Sequence, residues 1–240
     1  SCLKAGNACI LRGGSSAARS NAAIAEALAR AAVAAGLPEG SIQAVTTADR
    51  AAADALMQLH GLVGVIIPRG GAGLIRHCVE TSKVPVIETG TGNCHVYVHE
   101  SADAERAVRI VENAKCRRYG VCNAAETLLI DEVCAPQVLP PILDALTSHG
   151  VRLHLDEASL SIAQEASAQG AGHDAVPATE EDWATEYLAP EIAVKCVAGV
   201  DAAVEHINRY GTRHSEAIVA EDADAIQRFL RGVDAAAVYA

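Results

Sequence analysis

The sequence predicts an α/β fold built on a parallel β-sheet, and three observations indicate it. Short apolar segments alternate with longer segments in which apolar residues recur at helical spacing. Half of the 240 residues are hydrophobic but only 3% are aromatic, which suits alanine-rich helices packed on a sheet better than a β-sandwich. Because strands that alternate with helices of this length require right-handed crossovers, we expect the strands to run parallel.

The first ninety residues follow this alternation closely. Apolar runs predict strands at residues 7–11, 42–45, 63–67 and 84–87. Helical spacing predicts helices at residues 20–35, 49–61 and 73–81. Asp49 suits the N-cap of the second helix, and Gly61 is expected to end it.

Glycine-containing loops at residues 12–15 and 68–73 join predicted strands to predicted helices. Amides exposed at a helix N-terminus there can approach phosphate or nicotinamide groups closely. Neither loop matches Gly-x-Gly-x-x-Gly, and tight turns in any α/β protein need glycine, so dinucleotide binding stays open at this point. Arg12 and Lys4 are placed to meet a ribose phosphate, although charges at a sheet edge are more often simply solvated.

The second half begins at a flexible joint around residues 89–93. Strands are predicted at residues 95–98, 127–130, 151–155, 192–197 and 217–220, and helices at residues 102–117, 142–148 and 200–208. Small, polar and glycine-rich residues at 164–178 predict a loop. Because the chain opens on serine and ends in an apolar run, we expect an internal fragment of a longer protein.

Cys122 is the candidate nucleophile among eight cysteines. It lies in a short polar loop between a predicted helix and a predicted strand, whereas a structural thiol usually lies on an apolar face. Lys115, Arg117 and Arg118 lie just upstream. Nearby positive charge favours the reactive thiolate over the thiol, so this loop predicts a catalytic cysteine.

Composition and spacing exclude several classes of function. The net charge of −11 argues against nucleic acid or an anionic membrane as a partner. No apolar run approaches the roughly 20 residues that span a bilayer, and no signal peptide opens the sequence, so we expect a cytoplasmic protein. The chain has no Cys-x-x-Cys pair and no cysteine–histidine spacing typical of zinc, which predicts reduced thiols and no metal.

Six ordered motifs, which include Val-Cys-Asn-Ala-Ala-Glu-Thr-Leu-Leu around Cys122, carry a family resemblance. They lie at residues 3–14, 67–71, 86–95, 121–129, 185–187 and 206–216. The set resembles the γ-glutamyl phosphate reductases, also called glutamate-5-semialdehyde dehydrogenases, of the aldehyde dehydrogenase superfamily. The resemblance extends from end to end of the chain. It implies an aldehyde-dehydrogenase-like α/β fold with a parallel Rossmann-like cofactor region followed by a second α/β catalytic region.

The resemblance also implies domain boundaries. Residues 1–91 are expected to be the C-terminal part of an NADP-binding Rossmann-like domain, and residues 92–232 a catalytic domain that contains the cysteine. Residues 233–240 are expected to begin a truncated C-terminal strand.

The implied reaction is the NADPH-dependent reduction of L-glutamyl 5-phosphate to L-glutamate 5-semialdehyde and phosphate, in L-proline biosynthesis. Cys122 would form a thioester with the acyl group. Glu88 aligns with the superfamily's general base, and Glu186 aligns with the glutamate that holds the nicotinamide ribose. The other cofactor-facing residues are expected to be Arg12, Gly70 and Gly71. Candidates for the substrate's amino-acid end are Asn93, His95, Arg118, His214 and Ser215.

Two departures from the family pattern stand next to Arg118: Arg117 where glutamine is common, and Tyr119 where proline is common. From the resemblance we also expect the family's opening units and its C-terminal segment to lie outside this sequence. Two alternatives therefore remain: a catalytically incomplete fragment of this enzyme, and an aldehyde dehydrogenase of another specificity. The resemblance further implies a homo-oligomer, a small-molecule substrate and a functional link to glutamate 5-kinase.

Overall fold

A computed structural model of the chain describes residues 2–87, 90–167 and 175–240. Its internal contacts divide the chain into two compact units, Ser1–Thr89 and Gly90–Ala240. Within the described ranges, no helix is both long enough and apolar enough to cross a membrane. Strands alternate with helices in both units, so the predicted α/β class is confirmed.

The first unit combines helices with a pair of parallel strands. Its elements in order are β1 (Cys9–Arg12), α1 (Ala18–Ala34), β2 (Ile42–Val45), α2 (Arg50–Met57) and α3 (Ala72–Thr81), with short 3-10 helices at Leu3–Ala5 and Ser15–Ala17. β1 and β2 pair in parallel from Cys9–Ile42 to Arg12–Val45. The Asp49 carboxylate accepts the Ala51 N–H at 3.0 Å, so the predicted N-cap of α2 is confirmed.

The strands predicted at residues 63–67 and 84–87 do not form as continuous strands. Ile66 and Val86 pair only as an isolated parallel bridge, and His60 and Val63 form another. An apolar run predicts burial, but a strand also needs a neighbour along its whole length. Only single residue pairs meet here in the described part of the unit.

The second unit is built on a seven-stranded, fully parallel sheet. Its strands are β3 (Cys94–Val98), β4 (Ala125–Asp131), β5 (Arg152–Leu155), β6 (Ala175–Pro177), β7 (Glu191–Val197), β8 (Ser215–Val219) and β9 (Ala237–Tyr239). Its helices are α4 (Ala104–Cys116), α5 (Ala135–Ser148), α6 (Glu157–Ser167), α7 (Gly199–Tyr210) and α8 (Ala223–Gly232), with a 3-10 helix at Asp182–Ala184. The strand order is β6-β5-β7-β4-β3-β8-β9.

Each face of this sheet has its own apolar core. On one face, Leu128 and Ile130 of β4 pack in a cluster with side chains of α4 and α5 such as Val111 and Leu139. On the other face, Tyr97 and Leu129 pack in a cluster with residues of α7 and α8 that includes Phe229. Successive side chains along β3 and β4 therefore point to opposite faces of the sheet and pack against different helices. This alternation fixes the register of the strands that carry the site.

Four elements of the second unit differ from the predictions. α5 begins at Ala135 rather than at residue 142 and contains Pro140 and Pro141, because its buried apolar side chains hold it against the sheet despite the lost N–H donors. The loop predicted at residues 164–178 is wrong at both ends, where α6 continues to Ser167 and β6 covers Ala175–Pro177. No element was predicted at α8, whose N-cap Asp222 accepts two backbone N–H groups.

Candidate active site

Cys122 lies in the loop that joins α4 to β4. Its side chain is exposed, and the loop forms turns around it. β3, β4 and β8 are parallel neighbours, so their amino-terminal ends lie at the same edge of the sheet. The Cys122 loop leads into β4 at this edge. The predicted loop position and exposure of Cys122 are confirmed.

Gly92 and Cys94 contact the backbone carbonyl group of Cys122. A β-carbon added to Gly92 would come within 1.6 Å of the Cys122 carbonyl oxygen, so only glycine fits there. The Cys94 thiol lies 3.3 Å from the same oxygen and donates to it. Burial, reinforced by the charge of Glu216, raises the pKa of Cys94 to about 12. Cys94 is therefore a neutral hydrogen-bond donor to the loop at physiological pH.

Asn93 is fully buried and ties the segment before β3 to two other segments. Its side-chain Nδ2 donates to the carbonyl oxygens of Trp183 at 2.8 Å and Tyr210 at 3.0 Å. Its backbone N–H donates to Thr212 Oγ1 at 3.0 Å. These bonds give the Nδ2 group and the backbone N–H of Asn93 internal partners, while its buried Oδ1 has no partner among the described residues.

His95 and Glu216 form a fully buried pair between β3 and β8. Glu216 Oε2 accepts the His95 backbone N–H at 2.7 Å and lies 3.0 Å from His95 Nδ1. The His206 ring meets the His95 ring edge-on, with centroids 5.6 Å apart. Burial lowers the pKa of His206 to about 3, so this ring stays neutral. The predicted substrate residues Asn93 and His95 are thus buried at the amino-terminal end of β3.

The other predicted substrate residues are more accessible. His214 and Ser215 are half-buried where the chain enters β8, and His214 Nδ1 lies 2.8 Å from Ser215 Oγ. The same His214 nitrogen is 3.7 Å from Cys94 Sγ, which brings His214 beside the group that contacts the Cys122 loop. Arg118 is exposed within that loop.

Lys115 is not available as a free cation beside Cys122. Its side chain is fully buried at the end of α4, and its Nζ donates to Glu126 Oε2 at 2.6 Å. The expectation that Lys115 places a positive charge beside Cys122 is wrong, because the buried Lys115 ammonium group is paired with the Glu126 carboxylate. Arg117 and Arg118 are the exposed cations of the loop.

Glu186 lies on the segment between the 3-10 helix Asp182–Ala184 and β7. Its Oε1 accepts the Gly92 N–H at 2.6 Å. Because Gly92 also abuts the Cys122 carbonyl group, this bond brings the predicted ribose-binding carboxylate and the predicted nucleophile into one site.

In the first unit, Arg12 lies at the end of β1 and lines a cavity of about 240 Å³ between β1, β2 and the start of α1. Its guanidinium group donates to the carbonyl oxygens of Ala48 at 3.1 Å and Asp49 at 3.4 Å, while its buried Nε has no partner among the described residues. Gly70 and Gly71 precede α3 and do not line this cavity. Glu88 lies outside the described residues.

Sequence reasoning missed several residues that hold the site together: Gly92, Cys94, Glu126, Thr212 and Glu216. All five stand inside motifs that carried the family resemblance, and Glu126 shares its motif with Cys122, so the motifs themselves were the available signal. Their contacts join positions 90 or more residues apart in several cases, which local patterns do not predict.

Comparison with known proteins places these features in a family. Residues 1–170 match the family model described as the aldehyde dehydrogenase family. The γ-glutamyl phosphate reductase of Symbiobacterium thermophilum is 58% identical over 242 residues, which cover 99% of this chain and 57% of that protein. The γ-glutamyl phosphate reductase of Caldanaerobacter subterraneus subsp. tengcongensis is 52% identical over 238 residues, which cover 99% of this chain and 55% of the relative.

A solved structure agrees. The crystal structure of γ-glutamyl phosphate reductase from Thermotoga maritima superposes with a TM-score of 0.92 at 44% identity, covering 99% of this chain and 55% of that one. The chain therefore spans about 55% of the length of such relatives. From the family match and the shared parallel fold, we conclude that the chain belongs to the aldehyde dehydrogenase family.

Proposed function

We propose that the protein encoded by the reading frame containing this chain reduces L-glutamyl 5-phosphate to L-glutamate 5-semialdehyde and phosphate, with NADPH, in L-proline biosynthesis. The observation that carries the proposal is the exposed Cys122, held at its carbonyl group by Gly92 and Cys94 within two family motifs. The names of relatives at 52% and 58% identity support the substrate. A kinase that phosphorylates the γ-carboxylate of glutamate would have to supply it.

Residues of the first unit fit a nucleotide phosphate. Arg12 brings a guanidinium group to the cavity at the end of β1, and its buried Nε lacks a partner among the described residues. Gly13 and Asn21 line the same cavity, and a β-carbon on Gly13 would meet Asn21 Nδ2 at 1.9 Å, so a larger residue at position 13 would displace the Asn21 amide. We propose that Arg12, Gly70, Gly71 and Glu186 are cofactor-binding residues.

Cys122 carries the covalent chemistry in this proposal. Its thiolate attacks the acyl carbon, the carbon–oxygen bond to phosphate breaks, and phosphate leaves a thioester on the cysteine. NADPH, when bound, supplies the hydride that reduces this thioester. Cys122 then leaves as a thiolate and frees the semialdehyde. The backbone N–H of Cys122 is the expected donor to the oxyanion that develops at the acyl oxygen.

The remaining residues are assigned by position. His214, Ser215 and Arg118 are accessible enough to meet the amino-acid end of the substrate. Asn93 and His95 contribute through the buried bonds that fix the segment beside Cys122. Glu88 stays a catalytic candidate because it aligns with the superfamily's general base, although the reduction of an acyl phosphate needs no water-activating base. We also propose that the enzyme is a homo-oligomer.

The test is the reverse reaction in the full-length protein, followed by the absorbance of reduced nucleotide. We expect nucleotide reduction from semialdehyde and NADP⁺ to depend on phosphate, and Cys122→Ala to abolish it. Cys2→Ala, which removes another exposed thiol, is the matched control. Steady reduction without phosphate would instead identify an aldehyde dehydrogenase that hydrolyses its thioester. Retained activity in Cys122→Ala would exclude this cysteine as the nucleophile.

A further inference from the structure

A buried ion pair closes the base of the Cys122 loop. Lys115 lies in the last turn of α4 before the loop, and Glu126 lies in β4 just after it. Lys115 Nζ donates to Glu126 Oε2 at 2.6 Å, and both side chains are fully buried. One interaction therefore joins the two ends of the segment that carries Cys122.

This pair is a costly way to stabilise a fold. Burial lowers the pKa of Lys115 and raises the pKa of Glu126, so the interior disfavours the charged form of each partner. An apolar pair of similar volume is often at least as stable as a buried ion pair. Stability alone therefore does not account for this ion pair. The contact made by the other carboxylate oxygen of Glu126, Oε1, indicates what its further role is.

Glu126 Oε1 accepts the backbone N–H of Leu188 at 3.3 Å. Leu188 has a φ of 52°, in the left-handed region that is strained for a non-glycine residue. Its side chain is 49% exposed, so burial of the leucine does little to offset that strain. Strained backbone of this kind persists where surrounding contacts impose it and is concentrated at functional sites.

The strained residue ends a short segment whose other members are also fixed. The Tyr187 ring stacks on His154 with centroids 5.0 Å apart, and its hydroxyl donates to Asp182 Oδ1 at 2.8 Å. Glu186, the next residue back, accepts the Gly92 N–H at 2.6 Å. The left-handed backbone of Leu188 and the packing of Tyr187 thus set where the Glu186 carboxylate points.

We propose that Lys115 and Glu126 are positioning residues that hold the Cys122 loop at both ends and, through the Leu188 backbone, aim Glu186 at Gly92. The role rests on the proposed function, in which Cys122 reacts with the acyl group and Glu186 holds the cofactor. Neither Lys115 nor Glu126 touches the substrate or the cofactor. Their contribution is the distance and direction between Cys122, which reacts with the substrate, and Glu186, which holds the cofactor.

The first test needs no variant. Hydrogen–deuterium exchange of the full-length protein without cofactor should show a protected Leu188 amide, although Leu188 is a half-exposed residue outside helices and strands. Exchange at the unprotected rate would overturn the proposal. This readout is independent of catalysis and of the proposed substrate.

The second test replaces the ion pair by apolar residues in the double variant Lys115→Met/Glu126→Leu. This variant leaves no buried charge unpaired, so we expect it to fold. We expect the Leu188 amide to lose protection, the Kd for NADP⁺ to rise about tenfold, and kcat to fall by about 10- to 100-fold with a smaller change in KM for the acyl phosphate. Arg106→Met/Glu221→Leu, which removes an exposed ion pair of the same unit, is the matched control and should retain all three values.

Wild-type Kd, kcat and Leu188 protection in the Lys115→Met/Glu126→Leu variant would overturn the positioning role. If that variant fails to fold, Leu188 exchange in the wild-type protein still decides the question. If the wild-type protein shows no reductase turnover, the proposed function fails, while the exchange and NADP⁺ affinity measurements still decide whether the pair positions Glu186.

Discussion

Gly92 and Cys122 meet so closely that a single β-carbon on Gly92 would lie 1.6 Å from the Cys122 carbonyl oxygen and 2.8 Å from the Cys122 Cα. The contact is between two backbone segments, so no flexible side chain can move to relieve an overlap. Gly92 also donates its N–H to Glu186. This one residue therefore sets the position of the Cys122 loop relative to the Glu186 carboxylate.

Gly92→Ala should displace the Cys122 loop and lower kcat by at least about 100-fold, because a shift of roughly 1 Å at a reacting group can cost that much. Gly90→Ala is the control, since a β-carbon there would meet its nearest atom, the Thr212 carbonyl oxygen, at an ordinary 3.9 Å. Steady-state kinetics of the two variants check the prediction. Equal activity in both would show that the contact with Cys122 does not matter.

Cys94 and Cys122 should differ sharply in reactivity towards iodoacetamide. Cys122 is exposed, whereas Cys94 is buried with a pKa of about 12 and stays protonated at neutral pH. Timed alkylation at pH 7.5 followed by peptide mass spectrometry should show modification of Cys122 well before Cys94. Modification of Cys94 first would contradict the assignment of Cys94 as a hydrogen-bond donor.

His206 should make the free energy of unfolding decrease as the pH becomes acidic. Its folded-state pKa of about 3 lies below its ordinary value of 6.5, so the unfolded chain binds the proton more tightly. Its contribution is fully present above pH 6.5 and is lost as the pH falls towards 3. The loss of unfolding free energy over the whole range should be on the order of 3–5 kcal/mol.

Urea unfolding at pH 7 and pH 4.5 checks this sign in wild type and in His206→Phe. The phenylalanine keeps a ring against Trp183 and Tyr210 but cannot titrate. We expect the fall in unfolding free energy between the two pH values to be smaller in the variant. An equal fall in both proteins would show that His206 is not the residue responsible.

Much of the fold could be predicted because its signals are local. Asp49 precedes an amphipathic helix and caps it, and residues 42–45 form the strand that their apolar pattern predicted. α5 could not be predicted correctly, since Pro140 and Pro141 disfavour a helix locally and only tertiary packing of its apolar side chains holds it. Predicted strand pairing failed at residues 63–67 for the same reason, because pairing is not a local property.

The candidate site likewise combines features that have a local sequence signal with features that depend on tertiary contacts. The accessible loop around Cys122 followed from the polar residues between a helix and a strand. The approach of Cys94 depends on a register shift between Cys94 and His95 where β3 meets β4, and no local pattern specifies it. Lys115 could be identified as a cation from the sequence, but only the structure shows that it is buried against Glu126.

The most direct test of Cys122 as the thioester-forming residue is a single-turnover measurement in the full-length protein. Mixed with NADP⁺ and glutamate 5-semialdehyde but without phosphate, the enzyme should produce one burst of reduced nucleotide equal to its active sites and then stop. Peptide mass spectrometry should find the glutamyl group on Cys122, and added phosphate should restart turnover. Absence of a burst in a protein that turns over with phosphate, or a glutamyl group on a residue other than Cys122, would contradict the thioester mechanism.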